Sequence, residues 1–261
     1  MQAATTNKLI KTNQLMSLLL SVFKRTTKLF YEYKSGEYIA NVHTKAKNEK
    51  FTDADYTIQK MLEINVNNYF PGLKIVGEED TSSNLIPESK YYTIEDVDLN
   101  IIDENQVEDS QQDDLCLFID PIDSTDNFIK KNFTPVTCLV GITKNSKPFI
   151  GFVHYPMYEG KENNSLTFFN IPSKGIFSYD TFTNEIKSVI INQKDLSEWM
   201  FISSSSKTNS KMLEVFALFE NSSRVFASGL GNKSMKSLLE DQVFLSSGKS
   251  NHIYFIITIS F

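Results

Sequence analysis

Apolar residues recur at helical spacing near the start of the chain. Leu15, Leu18, Leu19 and Val22 share one face and predict an opening helix over roughly residues 6–33. A lysine-rich loop follows. A second stripe, Ile58, Met61, Leu62, Val66 and Tyr69, predicts a helix that starts around Thr52–Asp55 and stops at Phe70-Pro71-Gly72. Asp53 and Asp55 suit the positive end of that helix. The apolar run 73–77 reads as a short strand that delivers Glu78, Glu79 and Asp80. Residues 81–114 are acidic, aperiodic and poor in aromatics, and read as a solvated loop with room for one short helix.

The period then shortens. Leu115–Ile119 reads as a strand, followed by a short helix from about 124 to 131. Runs 136–143 and 148–155 predict a hairpin around Lys144-Asn145-Ser146-Lys147, with further strands near 166–170, 175–179 and 187–191. Beyond Trp199 the elements alternate: a strand from Met200, a helix over 208–219, a strand at 224–228, a helix at 232–240 and a strand at 252–259. That alternation predicts a second α/β layer.

Three groups of acids share one kind of address. Asp55 opens a helix, Glu78 and Glu79 follow a strand, and Asp120 and Asp123 follow another. Ends of neighbouring strands meet at one margin of a sheet, and carboxylates gathered there repel unless protonated or bridged by cations. Hard oxygen donors of this kind suit Mg²⁺. In Asp120-Pro121-Ile122-Asp123-Ser124-Thr125 the proline turn lets both aspartates and the Ile122 carbonyl face one side, and Ser124 and Thr125 present backbone N–H groups to an anion. The same six residues, taken alone, also fit an ordinary helix cap after a turn.

Composition narrows the field. The chain has 261 residues, 41% of them hydrophobic, enough for a substantial core. Its net charge of −6, with no basic block, argues against nucleic acid or an anionic membrane as a partner and leaves room for a small anionic substrate if something local neutralises it, as a bound cation would. Cys116 and Cys138 lie in apolar runs and read as buried thiols of a reducing, cytoplasmic setting. The apolar stretch 15–23 is too short to span a bilayer. His43, His154 and His252 lack zinc-ligand spacing, and the chain has no nucleophile elbow, CxxC pair or dinucleotide fingerprint.

"TDADYTIQK", "VGEED", "DPIDST" and "GLGNK" together resemble, in order, the motifs of the lithium-sensitive, Mg²⁺-dependent phosphomonoesterases of the inositol monophosphatase superfamily. The details look most like the branch holding inositol polyphosphate 1-phosphatase and 3′(2′),5′-bisphosphate nucleotidase. The resemblance covers about residues 10–255. It implies that Glu78, Asp120 and the Ile122 carbonyl hold one Mg²⁺, that Asp120 and Asp123 hold a second, and that Asp55 and Thr125 orient and activate the attacking water. Glu79 becomes an outer carboxylate or a ligand of a third ion. Ser124, Thr125, Gly229, Gly231 and Lys233 become substrate-binding residues, although the Gly229–Lys233 stretch by itself reads better as a plain glycine turn before a helix with a solvated lysine.

The family also places a metal-binding aspartate in a Trp-Asp-x-x-Ala motif after the strand that 248–256 resembles. This sequence shows no such motif; its single tryptophan is Trp199, and no acidic residue follows Asp241. The expected fold is therefore α/β (α+β): a layered α/β/α/β/α sandwich of the sugar-phosphatase type lacking its last elements. Residues 1–160 form the metal-binding helix-and-sheet part and 161–261 a truncated α/β part. The expected activity is hydrolysis of a small bisphosphorylated substrate. The alternative is an impaired relative, or a fragment, that only binds Mg²⁺ or a phosphorylated ligand.

Overall fold

The computed structural model describes residues 8–45, 49–80, 94, 96–191, 200–203, 217, 223–239 and 242–244. Helix α1, Thr12–Ser35, buries the predicted leucine stripe and ends at Gly36, whose N–H bonds the Glu32 and Tyr33 carbonyls. Helix α2, Asp53–Tyr69, begins with a reciprocal cap. The Thr52 hydroxyl accepts from the Asp55 amide while the Asp55 carboxylate accepts from the Thr52 amide. Helix α3 is short, Thr125–Ile129, and α4 spans Leu230–Leu239.

In chain order the strands are β1 Leu9–Ile10, β2 Val42–Thr44, β3 Lys50–Thr52, β4 Lys74–Gly77, β5 Ser110–Gln111, β6 Leu115–Asp123 and β7 Thr137–Lys144. They continue with β8 Lys147–Tyr155, β9 Leu166–Ile171, β10 Gly175–Asp180, β11 Ile186–Ser188, β12 Met200–Ser203, β13 Ser223–Phe226 and β14 Gln242–Phe244. Seven form the main sheet in the order β11-β10-β9-β8-β7-β6-β4. Its neighbours run antiparallel except β4 and β6, which are parallel. A second sheet, β13-β12-β14, is parallel throughout.

Both faces of the main sheet are covered, which explains why its strands read as nearly continuous apolar runs. Successive side chains leave opposite faces. Cys138, Val140, Ile142, Ile150, Phe152 and Phe169 join α1 and α2 in one core. Leu139, Val153, Tyr155 and Phe168 meet Met235 and Leu238 of α4 in another. With the second sheet beyond α4, the described residues stack as α/β/α/β. The expected fifth layer, the helix at 208–219 and the strand at 252–259 fall outside the described residues, apart from Ala217.

The opening helix starts at Thr12 rather than near residue 6, because Leu9 and Ile10 pair with Gln111 and Ser110. Residues 96–114 are not the solvated loop expected from their composition: Ile102 and Val107 are core residues. Polar side chains of α1 receive this segment. Asn13 Nδ2 donates to the Ile102 carbonyl, and the Ser17 and Ser21 hydroxyls accept from the Ile102 and Asp98 amides. Within the lysine-rich stretch β2 and β3 pair antiparallel, and residues 242–244 form β14. His154 is a core residue stacked on Phe23 at 4.8 Å, with its ring nitrogens 2.9 and 3.1 Å from the Thr167 and Thr27 hydroxyls. Burial lowers its pKa to about 3, so the imidazole is neutral. Among the described residues no helix is long and apolar enough to cross a membrane.

Candidate active site

The site forms where β4 and β6 end side by side. Gly77 pairs with Ile119, and the Glu78 amide extends the ladder to the Ile119 carbonyl at 2.9 Å. Glu78 and Asp120 therefore leave the carboxyl ends of adjacent parallel strands, the position where open α/β sheets place their ligands. Next comes a bulge. Asp120 faces Leu139 and Asp123 faces Thr137, so Pro121 and Ile122 together oppose Cys138. Residues three apart on a regular strand point to opposite faces. The extra residue restores a common side, which is why a buried strand can end in two aspartates at this spacing.

Asp55 approaches from the first turn of α2. Its Oδ2 accepts from the Thr52 amide at 2.7 Å and the Thr52 hydroxyl at 2.6 Å. Its Oδ1 lies 3.4 Å from the Thr125 hydroxyl, which also donates to the Ile122 carbonyl at 3.0 Å. Burial pushes the Asp55 pKa up to about 7, helped by the charges of Glu79 and Glu78 and opposed by the Thr52 hydrogen bonds.

Glu78 and Glu79 share one cation. Lys45, just past β2, lies 2.5 Å from Glu79 Oε1 and 3.6 Å from Glu78 Oε1. Burial disfavours its ammonium, but the two glutamates prevail and raise its pKa. Burial raises the pKa of Glu79 against the pull of Lys45. Nothing in the sequence marks Lys45 among its neighbouring lysines.

Asp123 reaches across to the second sheet's helix. Its Oδ2 accepts from the Gly231 amide at 2.7 Å and the Thr137 hydroxyl at 3.1 Å, with the Leu230 amide as a further donor. A carboxylate at the first turn of α4 meets the positive end of the helix dipole. The contact demands a bare backbone: a Cβ on Gly231 would sit 2.5 Å from Leu139 Cδ2 and 2.6 Å from Thr137 Oγ1. Gly229, at φ +78°, turns the chain into the helix. Lys233 lies near enough for its charge to pull the Asp123 pKa down, although burial wins and leaves it raised. Ser124, at φ 80°, accepts from Asn127 Nδ2 at 2.8 Å.

Asp120 is stressed by burial and by its acidic neighbours. Burial, then the charges of Glu78 and Asp123, hold its pKa well above the carboxylate range. Its Oδ1 is buried and has no hydrogen-bond partner. An acceptor left unpaired beside two other acids is the donor chemistry a hard cation satisfies. Among the described residues no three acidic side chains close into a ready ion cage. Lys45 holds Glu78 and Glu79, and the first turn of α4 holds Asp123. The oxygen donors fit Mg²⁺ in kind, and their present partners are the groups an ion would have to displace.

The model of the inositol monophosphatase family matches residues 5–241. The chain belongs to that family. A curated relative, 3′(2′),5′-bisphosphate nucleotidase 1 of Homo sapiens, is 29% identical over 119 residues, which is 41% of this chain and 35% of that protein. The chain spans about a third of the length of the curated relatives it matches. Solved members of the inositol monophosphatase fold match more widely. A lithium-chloride-soaked inhibitory complex of a staphylococcal inositol monophosphatase-1 aligns with a TM-score of 0.59 at 19% identity, covering 88% of this chain and 74% of that one. An IMPase/NADP phosphatase complexed with Mg²⁺ and phosphate aligns at 0.52 and 19% identity, covering 80% and 66%. At such identity the likeness is one of fold.

Proposed function

We propose that this chain is a Mg²⁺-dependent phosphomonoesterase acting on a small substrate that carries at least two phosphates. The substrate is a 3′(2′),5′-bisphosphate nucleotide or an inositol polyphosphate 1-phosphate, attacked in line by water with no covalent phosphoenzyme. One observation carries the reading: the buried Oδ1 of Asp120 has no hydrogen-bond partner, on a carboxyl group that meets Glu78 through a side-chain hydrogen bond and feels the charges of Glu78 and Asp123. The human nucleotidase match supports the substrate class. The unpaired thiols Cys116 and Cys138 support a reducing, cytoplasmic setting.

Glu78, Asp120 and the Ile122 carbonyl would hold one ion, Asp120 and Asp123 a second, with Glu79 placed for a third. When bound, Mg²⁺ cancels the repulsion among these acids and draws charge off the phosphoryl oxygens. The rest falls to the chain itself. Thr52 anchors one oxygen of Asp55, leaving the other to meet Thr125. The attacking water is held between Asp55 and the Thr125 hydroxyl, and Asp55 takes its proton. Burial, the largest cause of its raised pKa, makes Asp55 a better base near neutrality than an ordinary aspartate. Ser124, Thr125 and the Gly229–Lys233 turn face the substrate, Lys233 offering charge to a second phosphate.

The test is phosphate release from an adenosine bisphosphate and an inositol bisphosphate, with and without Mg²⁺, by this chain and by Asp120→Asn and Asp123→Asn. Release should require Mg²⁺, be inhibited by Li⁺, and fall by at least about 100-fold in either variant. Release by both variants at the parent rate overturns the assignment. Mg²⁺-dependent ligand binding without release selects the binding-only alternative.

A further inference from the structure

Gln59 lies one helical turn beyond Asp55 on α2 and is buried. Its side-chain amide pairs with the backbone of Glu79 in both directions. Gln59 Nε2 donates to the Glu79 carbonyl at 2.8 Å, and the Glu79 amide donates to Gln59 Oε1 at 2.9 Å. The second Nε2 hydrogen goes to Glu63 Oε1 at 2.8 Å, one further turn along the helix. Three partners of fixed polarity allow only one orientation of the amide. The strand makes room for it. A Cβ on Gly77 would lie 2.0 Å from Gln59 Nε2, and its three nearest atoms would all belong to Gln59. The backbone of Gly77 is not left-handed, so this glycine is required by close approach rather than by conformation.

We propose that Gln59 is a positioning residue that fastens the Glu78–Glu79 segment to the helix carrying Asp55. The proposal rests on the reading of Glu78 as a metal ligand. Glu78 and Glu79 sit past the last ladder pair of β4, where only the Glu78 amide is still held by β6. A free strand end would let the two carboxylates drift relative to Asp120. The amide pair continues the hydrogen-bonding onto α2, so proposed base and proposed ligand share one rigid frame. Outer partners of this kind set metal affinity by fixing ligand direction.

The experiment measures Mg²⁺ binding by calorimetry and Mn²⁺ binding by electron paramagnetic resonance. It uses the full chain and the variants Gln59→Met, Gln59→Ala, Gly77→Ala and Gln59→Ala with Gly77→Ala. Circular dichroism confirms folding. Gln59→Met should fold and bind either ion about 10–100-fold more weakly. Gly77→Ala should weaken binding similarly, by expelling the amide. Added to Gln59→Ala it should weaken binding no further, because the methyl then meets empty space. A general loss of helix stability would not produce that non-additivity. If Gln59→Met does not fold, Gly77→Ala and the double variant carry the test. Parent-like affinity in a folded Gln59→Met, or additive losses, overturns the proposal alone. Absence of Mg²⁺ and Mn²⁺ binding by the parent chain overturns the site reading and this proposal with it.

Discussion

Ser124 stands in the left-handed region at φ 80°, directly after the second aspartate of the site. A side chain there costs about 1–2 kcal/mol relative to glycine, part of which glycine returns through its larger unfolded-state entropy. Ser124→Gly should stabilise the chain by about 0.5–1 kcal/mol, read as a higher denaturation midpoint with unchanged slope. A loss of stability would mean that the Asn127 contact outweighs the strain. At this scale the acids were visible from the sequence, because a carboxylate at a strand end or helix start is conspicuous. Gln59 was not: its partner lies twenty residues away, and a glutamine in a helix looks like any solvated residue. Gly77 was visible as a glycine, but only the packed amide explains it.

Helix α3 has five residues, too few to persist unaided. Phe128 supplies the missing hold. It is fully buried, stacks on Tyr33 at 4.3 Å, and meets Phe30 edge-on at 5.1 Å. Thr125 is therefore positioned by an aromatic cluster on α1, not by local propensity. Phe128→Ala should cost about 3–5 kcal/mol and lower turnover beyond any change in KM, whereas Phe128→Leu should lose much less of both. Equal turnover in Phe128→Ala would show that Thr125 does not depend on α3. Elements with a strong period, α2 and the strands from 137 to 180, were readable in the sequence to within a residue or two, whereas α1 starts six residues later than expected and β6 runs four residues further, through the bulge. The β2–β3 pairing was not readable, because its short strands are mostly polar. The burial of Ile102 and Val107 was hidden by acidic neighbours, and the α1 side chains that receive this segment at Ile102 and Asp98 are polar, an asparagine and two serines.

Across the whole molecule, the buried acids tie stability to pH and, on the proposed reading, to divalent ions. Unfolded, Asp55 loses its proton near 3.8; folded, it keeps it until about 7. Between those values the native state binds more protons, so stability falls as pH rises through the window. Asp120 and Asp123, both raised, act in the same direction. In chelator, the melting temperature should drop from pH 5 to pH 7.5, and Mg²⁺ at 100 times its Kd should restore about 2.7 kcal/mol at the upper pH. Thermal scans at several pH values, each with chelator or Mg²⁺, check this; a chelated protein that melts higher at pH 7.5 than at pH 5 contradicts it.

Lys45 changes what loading such a centre means. The two glutamates already have a monovalent counter-ion tethered to the fold, so on the proposed reading an incoming divalent ion would replace a charge rather than fill a void. The pocket gains one net positive charge instead of two. On that reading the chain would behave there as an ion-exchange resin, with its resting counter-ion carried on its own lysine side chain.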